Sequence, residues 1–295
     1  MTSVDDFLYD GESVFIGRKG TINKPLYYNG KFWTVDTLFY THSFVNVLPK
    51  FAYCLFQTIN WLKYNEASGV PSLSKATIEK IKVRVPSMDE QGKLSNQLFL
   101  LDKRIEVQNK IIEKLETLIK GIIETVISSQ KPNTFIKNCL ECDSSTLQES
   151  QVAENGAYPV YGATGISGYT ETADVNGEAI LITKDGSGVG TVKFADGEYS
   201  YIGTLNRLIA REGYCLKYLY FALQGFCFEP YKTGMAIPHI YFKDYGKAKI
   251  FCPTIEEQSI IAKSLSVIEN KISVEKQILF CNQLQKSYLL SQMLI

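Results

Sequence analysis

Residues 85–91 read VPSMDEQ, and residues 252–258, 167 positions later, read CPTIEEQ. Each stretch contains proline, a hydroxyl residue, an apolar residue, two acidic residues and glutamine, and each follows a strand-like run. Ser87 and Thr254 are good helix N-cap residues, and Glu90 and Glu257 lie three positions later, which is the spacing of a capping box. Both stretches therefore predict the same junction, at which a strand-like segment ends and a helix begins.

The similarity extends upstream of both junctions. Residues 71–86 (PSLSKATIEKIKVRVP) align with residues 238–253 (PHIYFKDYGKAKIFCP) without a gap. At the same offset FWTVDTLFY (32–40) aligns with YSYIGTLNR (199–207), and at an offset of 166 GESVFIGRKGT (11–21) aligns with GEAILITKDGS (177–187). Agreement over so many positions, with an offset that changes by only one residue, indicates that the chain consists of two copies of one unit.

Each copy predicts a β-rich globular part followed by a long helix. Short apolar runs such as VFIG, FWTVDTLFY, IKVRVP, AILIT and KAKIFCP alternate with turn residues, which is a strand and hairpin pattern. In the helical parts, apolar residues recur at alternating steps of four and three, which is typical of a coiled-coil seam. Packing of each helix against its own domain is the alternative interpretation, but about 40 residues at ~1.5 Å each exceed the width of a small domain.

The predicted fold class is α+β, with two β-rich domains that are each followed by a long α-helix. A polar residue interrupts both seams at the same repeat position, Gln108 and Glu275, where it can fix the register of helix pairing. The predicted parts are a first domain over residues 1–86, a first helix over 87–130, a second domain over 131–253 and a second helix over 254–295. The seam residues that we expect to pair the helices are Leu98, Leu101, Ile105, Ile112, Leu265, Ile268 and Ile272.

The two copies differ in length at their N-terminal ends. Residues 135–176 precede Gly177, whereas ten residues precede Gly11. The first domain is therefore expected to be incomplete at its N-terminus. A recombining or silent gene cassette, a truncated start and a subunit that assembles with another copy all fit this difference.

The composition argues against an active site in this chain. Two histidines are too few for a histidine metal cluster, and the one Cys-x-x-Cys pair, CLEC at residues 139–142, lacks a second pair that would complete a zinc site. The Gly-rich stretch TKDGSGVGT at residues 183–191 lacks the Gly-Lys-Ser/Thr of a P-loop. We therefore expect no catalytic residue and no metal site, and an enzyme is the less favoured class.

The sequence also bears on the cellular location of the protein and on how it could bind DNA. No apolar run approaches the ~18–20 residues of a membrane span, and the N-terminus lacks a signal-peptide pattern, so we expect a cytoplasmic protein. The formal net charge is zero, so DNA binding requires a local basic surface rather than a basic average.

Loops at equivalent places in the two copies are candidates for such a surface. GRKGTINK (17–24) corresponds to TKDGSGVGTVK (183–193), and KYNEASGVPS (63–72) corresponds to PYKTGMAIPH (230–239). Such loops place lysine and arginine on phosphates and polar side chains near base edges, although each residue alone is equally typical of a solvated turn. A further stretch, YPVYGATGISGY (158–169), interleaves tyrosines with small residues. The residues that we predict to contact DNA are Arg18, Lys19, Lys24, Lys63, Tyr64, Asn65, Tyr161, Thr164, Lys184, Asp185, Lys193, Lys232 and His239.

With these motifs the chain resembles the specificity subunits of type I restriction-modification systems. The resemblance rests on YPVYGATGISGY, GEAILITKDGSGVGTV, IGRKGTINK with FWTVDTLFY, and both P-x-x-(D/E)-E-Q junctions, and it covers essentially the whole chain. It departs from the family in the incomplete first domain, which leaves recognition of the first half of the target open.

The resemblance implies two target recognition domains that read a split sequence in double-stranded DNA. It also implies that the two helices pair as an antiparallel coiled coil, act as a spacer and dock methyltransferase (modification) subunits. A motor-nuclease restriction subunit and self-association are further candidate partners. S-adenosylmethionine, ATP and magnesium would belong to partner subunits, so no cofactor is expected in this chain. The alternative function is that of a non-catalytic scaffold of β-domains and coiled coil that binds protein or glycan.

Overall fold

The computed structural model describes residues 6–186 and 188–292. The start of the predicted first domain (1–5), Ser187 of the second Gly-rich loop and the end of the predicted second helix (293–295) lie outside the described residues. The chain divides into two compact units: unit 1 is Met1–Ile112 with Val274–Ile295, and unit 2 is Glu113–Ser273. Both long helices contribute to both units, and the division into domains at 87, 131 and 254 stays a prediction.

Unit 1 contains an antiparallel sheet with the strand order β2-β1-β3. Alternation in β1 buries Val14 and Ile16 on the face that packs on the helices, and the core continues with Ile22, Trp61 and Leu73. A 3₁₀ turn over Trp61–Tyr64 separates two short helices. The strands are β1 (Tyr9–Gly17), β2 (Leu26–Phe32) and β3 (Leu38–Tyr40), and the helices are α1 (Pro49–Thr58), α2 (Lys75–Glu79) and the first part of α3 (Met88–Ile122).

Unit 2 begins within α3, at Glu113, and α3 continues into a π-helical turn over Ile123–Ser128. Its chain then forms β4 (Thr134–Phe135), α4 (Ile136–Cys139), β5 (Leu140–Ser144), β6 (Tyr158–Tyr161), β7 (Ile166–Thr170), β8 (Val175–Asn176), β9 (Ala179–Thr183), β10 (Val192–Ala195), β11 (Glu198–Tyr201), β12 (Leu205–Ala210), α5 (Leu216–Gln224), α6 (Phe242–Tyr245), β13 (Lys249–Ile250) and α7 (Ile255–Gln292), with 3₁₀ turns over Glu149–Gln151 and Glu229–Tyr231.

These strands form two four-stranded sheets and one short pair. The sheet β10-β9-β12-β5 has β9 near its centre, and all five residues of β9 (AILIT) are buried. A continuous apolar run is what a strand covered on both faces requires. The second sheet has the order β7-β6-β11-β8, and β13 pairs with β4.

The architecture confirms the repeat that the sequence predicts. The order β2-β1-β3 in unit 1 corresponds to β10-β9-β12 in unit 2, and α1 and α2 correspond to α5 and α6. The register is also the same: Gly17 pairs with Leu38, and the equivalent Thr183 pairs with Leu205. The fold class of two β-rich regions with two long helices is therefore correct.

The paired junctions have the same hydrogen bonds in both units. The backbone N–H of Ser87 donates to the Glu90 carboxylate (3.1 Å) and the N–H of Glu90 donates to Ser87 Oγ (3.4 Å). Thr254 and Glu257 make the same two bonds (3.1 and 3.4 Å), so both predicted capping boxes form. In each box the hydroxyl also donates to the carboxylate, at 2.7 Å from Ser87 and 3.1 Å from Thr254. The bond from Ser87 lowers the pKa of the Glu90 carboxyl. The glutamine that follows each box is buried, although it makes no bond of the capping box.

Gln91 ties the start of α3 to the start of α1, and Gln258 ties the start of α7 to the start of α5. Gln91 Oε1 accepts from the backbone N–H of Leu48 (2.8 Å), and Gln258 Oε1 accepts from Cys215 (3.0 Å). Each side chain also donates to the carbonyl of the junction proline, at 2.9 Å in both units. The motif therefore fixes the direction in which each long helix leaves its β-rich part.

One predicted strand is wrong. The run IKVRVP forms neither strand nor helix, since residues 81–87 have no regular secondary structure. Its repeat equivalent AKIFCP does form a strand, β13, because β4 pairs with it. No described residue of unit 1 is a strand partner for residues 82–83, so the strand pattern there forms no sheet.

Candidate nucleic-acid interface

The two predicted loops of unit 1 lie side by side. Lys19 forms a β-bridge with Ser72, and the backbone N–H of Gly20 donates to the carbonyl of Pro71 (2.8 Å). The backbone N–H of Leu73 donates to the carbonyl of Arg18 (2.9 Å). Residues 18–24 and 63–72 therefore form one surface, which we call the two-loop surface of unit 1.

Unit 2 has the same arrangement at the repeat-equivalent positions. Asp185 forms a β-bridge with His239, and the N–H of Gly186 donates to the carbonyl of Pro238 (3.0 Å). The N–H of Ile240 donates to the carbonyl of Lys184 (2.9 Å). Residues 184–186, 188–190 and 232–239 form the two-loop surface of unit 2.

A glycine is required at one place in both surfaces. Gly20 has φ +85° and the equivalent Gly186 has φ +95°, a conformation that side chains with a Cβ rarely adopt. Each glycine is the donor of the bond that joins its loop to the neighbouring loop. The glycine of each loop could be recognised in the sequence. The neighbouring loop to which it is hydrogen-bonded could not.

The basic side chains of unit 1 differ in exposure and in whether they are already paired with an acidic side chain. Lys19, Lys24 and Lys63 are exposed. Arg18 is half-buried, forms an ion pair with Asp36 (2.5 Å), and lies 5.9 Å from the ring centroid of Phe39. The three lysines are therefore available to phosphates, whereas Arg18 is already paired.

The two other predicted residues of unit 1 shape the loop. Asn65 Oδ1 accepts from the N–H groups of Ala67 (3.1 Å) and Ser72 (2.9 Å), and its Nδ2 donates to the carbonyl of Ala67 (2.7 Å). Tyr64 packs against the core of unit 1. Both side chains hold the 63–72 loop in its conformation, and the bonds of Asn65 are made within that loop.

The predicted residues of unit 2 are more strongly engaged. Lys184 Nζ donates to Ser144 Oγ (3.3 Å), and Lys232 forms an ion pair with Glu229. The ring of His239 lies 5.2 Å from that of Tyr241, and its Nδ1 is 3.1 Å from the carbonyl of Ile237. The two-loop surface of unit 2 thus carries less available positive charge than that of unit 1.

The remaining three predicted residues of unit 2 are Tyr161 in β6, Thr164 in the turn that follows β6, and Lys193 in β10. Tyr161 packs edge-on against the buried Tyr199, with ring centroids 5.4 Å apart, and belongs to the core. Lys193 Nζ donates to the carbonyl of Ala163 (2.9 Å), and its partial burial lowers its pKa. Thr164 is exposed at the tip of the turn between β6 and β7. Lys193 therefore supports the turn that presents Thr164.

The sequence prediction did not include the apolar tips of the two surfaces. Val70 is 67% exposed and the equivalent Ile237 is 65% exposed, and the nearby Met235 is fully exposed. The same place on a polar loop therefore carries an exposed apolar side chain in both copies. The repeat alignment pairs Val70 with Ile237, so the sequence does show an apolar residue at the same loop position in both copies. It does not show that these two side chains are exposed.

The long helices pair antiparallel within unit 1. Gln108 Nε2 donates to the carbonyl of Glu275 (3.1 Å), and Lys286 forms an ion pair with Asp102 (2.5 Å). Residues later in α7 therefore contact residues earlier in α3, which is the arrangement of an antiparallel pair. Of the predicted seam residues, Leu98, Leu101, Ile112, Leu265 and Ile272 are buried, and Ile105 and Ile268 are half-buried.

The outer faces of both helices carry exposed apolar residues at equivalent positions. On α3 these are Leu100 (63% exposed), Val107 and Ile111, and on α7 they are Val267 (68%), Val274 and Ile278. Each α7 residue lies 167 positions after its α3 counterpart. We call these two sets the outer stripes. They are not part of the buried seam and were not among the predicted helix-pairing residues.

Two kinds of site are absent over residues 6–186 and 188–292. Within these residues no cluster of three or more histidine, cysteine or acidic side chains is arranged to hold a metal ion. Among the helices described over the same ranges, none has the length and hydropathy that a membrane span requires.

Comparison with known proteins agrees with this architecture. A crystal structure of the S subunit of a type I restriction-modification system from M. genitalium superposes with a TM-score of 0.78 at 15% identity, covering 99% of this chain and 85% of that chain. A chain from a study of complex assembly and conformational transition of the type I R-M system gives a TM-score of 0.54 at 14% identity, covering 98% and 83%. No curated protein sequence matches.

The family assignment rests on a sequence model rather than on these superpositions. The model described as the type I restriction modification DNA specificity domain matches residues 1–117 and 139–280, so one match falls on each copy of the repeat. The matched segments include both two-loop surfaces and both junctions. The chain therefore belongs to the family of type I restriction-modification DNA specificity domains.

Proposed function

We propose that this chain is the non-catalytic specificity subunit that directs a type I restriction-modification complex to a split target in double-stranded DNA. The two-loop surface of unit 1 reads one half of the target, and that of unit 2 reads the other half. The observation that carries the proposal is the recurrence of the same two bridged loops at equivalent positions, inside two matches to a DNA specificity domain.

The side chains of these surfaces divide into two roles. Lys19, Lys24 and Lys63 are exposed cations that neutralise phosphates and position unit 1 on the duplex. Val70 and Ile237 lie at the tips, where an apolar side chain in the major groove contacts the methyl group of thymine. Because lysines do not distinguish bases, we assign sequence preference to the tips and to the backbone and polar groups beside them.

The outer stripes are the docking sites for two modification subunits. Each stripe repeats at spacings of seven and four residues, as a helix face that packs against another helix does. The two stripes have equivalent positions in the repeat, so each helix offers a related surface to one copy of the same partner. A motor-nuclease restriction subunit would join the assembly through these partners.

Chemistry resides in the partner subunits. The modification subunits would bind S-adenosylmethionine and transfer the methyl group, and the restriction subunit would use ATP and magnesium. This chain contributes recognition and spacing. α3 and α7 contain 35 and 38 residues, which correspond to lengths of about 50–60 Å, so they set the distance between the two half-sites.

Co-expression with a type I modification subunit encoded in the same genome tests the proposal. We expect a stable complex that methylates one two-part motif in plasmid DNA, as mapped by single-molecule sequencing. Leu100→Glu with Val267→Glu should abolish complex formation, while Lys110→Glu, on the same helix but outside the stripes, should not. Methyl transfer by this chain alone, or a complex that survives both stripe substitutions, would contradict the proposal.

A further inference from the structure

Asp185 and His239 lie directly opposite each other in the two-loop surface of unit 2. The hydrogen bonds donated by Gly186 and Ile240 join the residues on either side of this pair, and not the pair itself. In an antiparallel pair of this kind the two side chains project to the same side and lie close together, with Cα atoms about 4.5 Å apart. Asp185 and His239 are both half-buried, so together they present one small polar area.

The equivalent pair in unit 1 has the opposite chemistry. Lys19 and Ser72 form the same bridge, with the same two flanking hydrogen bonds. Both of these side chains can donate a hydrogen bond, and the lysine is a cation. In unit 2 a carboxylate occupies the position of the lysine. Because phosphates repel a carboxylate, Asp185 cannot neutralise the DNA backbone as Lys19 does.

The neighbours of Asp185 leave its carboxylate free to accept a hydrogen bond. Lys184 points to the other side of the extended chain, where its Nζ donates to Ser144 Oγ (3.3 Å). His239 Nδ1 lies 3.1 Å from the carbonyl of Ile237, and a carbonyl only accepts, so the proton of the neutral ring is on Nδ1. Over residues 6–186 and 188–292, no donor is hydrogen-bonded to the Asp185 carboxylate.

We propose, on the basis of the function proposed above, that Asp185 accepts a hydrogen bond from the amino group of a cytosine in the half-site that unit 2 reads. In the major groove guanine and thymine present acceptors, and adenine places the acceptor N7 beside its amino group. Cytosine presents its N4 amino group without such an acceptor. A carboxylate that has no donor of its own therefore favours cytosine over the other three bases.

The substitution Asp185→Asn, which keeps the shape of the side chain, tests this role. The full chain in complex with a type I modification subunit from the same genome selects duplexes from a random pool. We expect the native chain to specify a C·G pair at one position of one block. An asparagine donates as well as accepts, which matches N6 and N7 of adenine, so Asp185→Asn should prefer A·T there by about tenfold. All other specified positions should stay the same.

Asp196→Asn is the matched control. Asp196 is exposed in the turn between β10 and β11, and the substitution removes the same charge from the same unit. Its Oδ1 accepts from the backbone N–H of Gly197 (2.7 Å), which an asparagine oxygen can also do. This variant should select the native sequence.

A modified duplex tests the contact with the amino group. The specified cytosine is replaced by N4-methylcytosine, whose methyl group takes the place of the amino hydrogen in the major groove. The native chain should bind this duplex about tenfold more weakly than the unmodified one. Asp185→Ala should bind the two duplexes equally, because it has no acceptor at this position.

Three results would overturn the role of Asp185 and leave the proposed function intact. The first is selection of the native blocks by Asp185→Asn, and the second is a change in affinity that is equal for all sequences. The third is an equal effect of N4-methylation on the native chain and on Asp185→Ala. A native complex that selects no sequence block would instead contradict the proposed function, and with it the role of Asp185.

Discussion

Gln108 and Glu275 occupy the same position in the two copies of the repeat, and they are hydrogen-bonded to each other. Gln108 Nε2 donates to the backbone carbonyl of Glu275 (3.1 Å) and to its carboxylate, and both side chains are buried. A residue that meets its own repeat equivalent fixes where two antiparallel helices cross. The polar interruption of the two predicted seams is therefore a single interaction.

We expect Gln108→Leu to destabilise the protein by about 1–3 kcal/mol, because it removes a donor from the buried Glu275 carboxylate. The double variant Gln108→Leu with Glu275→Leu should recover most of this loss, since an apolar pair leaves no buried charge. Urea denaturation followed by circular dichroism measures both variants. Equal stabilities of the single variant and the native chain would show that the pair does not contribute.

We expect Gln91→Ala and Gln258→Ala to be similarly destabilising, by about 2–3 kcal/mol each, because each leaves buried backbone groups without their partner. Ser87→Ala, in the exposed cap of the same junction, should cost about 1 kcal/mol. The same urea experiment compares them. A larger effect for Ser87→Ala would show that the cap, not the glutamine, fixes the start of the helix.

The exposed Lys19 gives a prediction about salt. Lys19→Ala should weaken DNA binding by a similar factor for all sequences, and it should reduce the slope of log K against log salt by about 0.9, because one phosphate is no longer neutralised. Gel-shift titrations at several salt concentrations measure the slope. Lys93→Ala, an exposed lysine on α3, is the matched control and should leave the slope unchanged.

The tip residues give a prediction about specificity. Val70→Ser and Ile237→Ser should each reduce the preference for one base pair by about 1 kcal/mol, roughly the contribution of one buried methyl group, and each should affect a different half of the target. Both residues are exposed, so thermal stability should not change. Competition binding with singly substituted duplexes measures the preference, and an effect of both variants on the same half-site would contradict the assignment.

Several features could be predicted from the sequence because they are local or repeated. The capping boxes depend on residues three positions apart, and the repeat alignment placed the strands and helices of both units in the same order. The strand over IKVRVP was wrong because its formation depends on a partner strand, β4, that residues 134–135 supply only in unit 2.

The candidate site could be predicted only in part. The loops were found by their glycines and lysines, but the bridges Lys19–Ser72 and Asp185–His239 connect residues more than fifty positions apart, which composition does not reveal. Tyr161 resembled a surface tyrosine in a Gly-rich stretch, yet it packs on Tyr199. Burial of an aromatic side chain depends on the sheet that covers it, so the roles of such residues required the structure.

In the function proposed above, two equivalent surfaces read one split target at a distance that the helices set. Selection of bound duplexes from a random pool, using the complex of this chain with a modification subunit, measures that distance. The native chain should select two specified blocks with a fixed gap, and deletion of one heptad from residues 103–118 should keep both blocks and shorten the gap by about three base pairs, since seven residues span about 10 Å and one base pair 3.4 Å. Circular dichroism should confirm that the variant remains helical. One continuous block with the native chain, or an unchanged gap with the folded variant, would contradict the account.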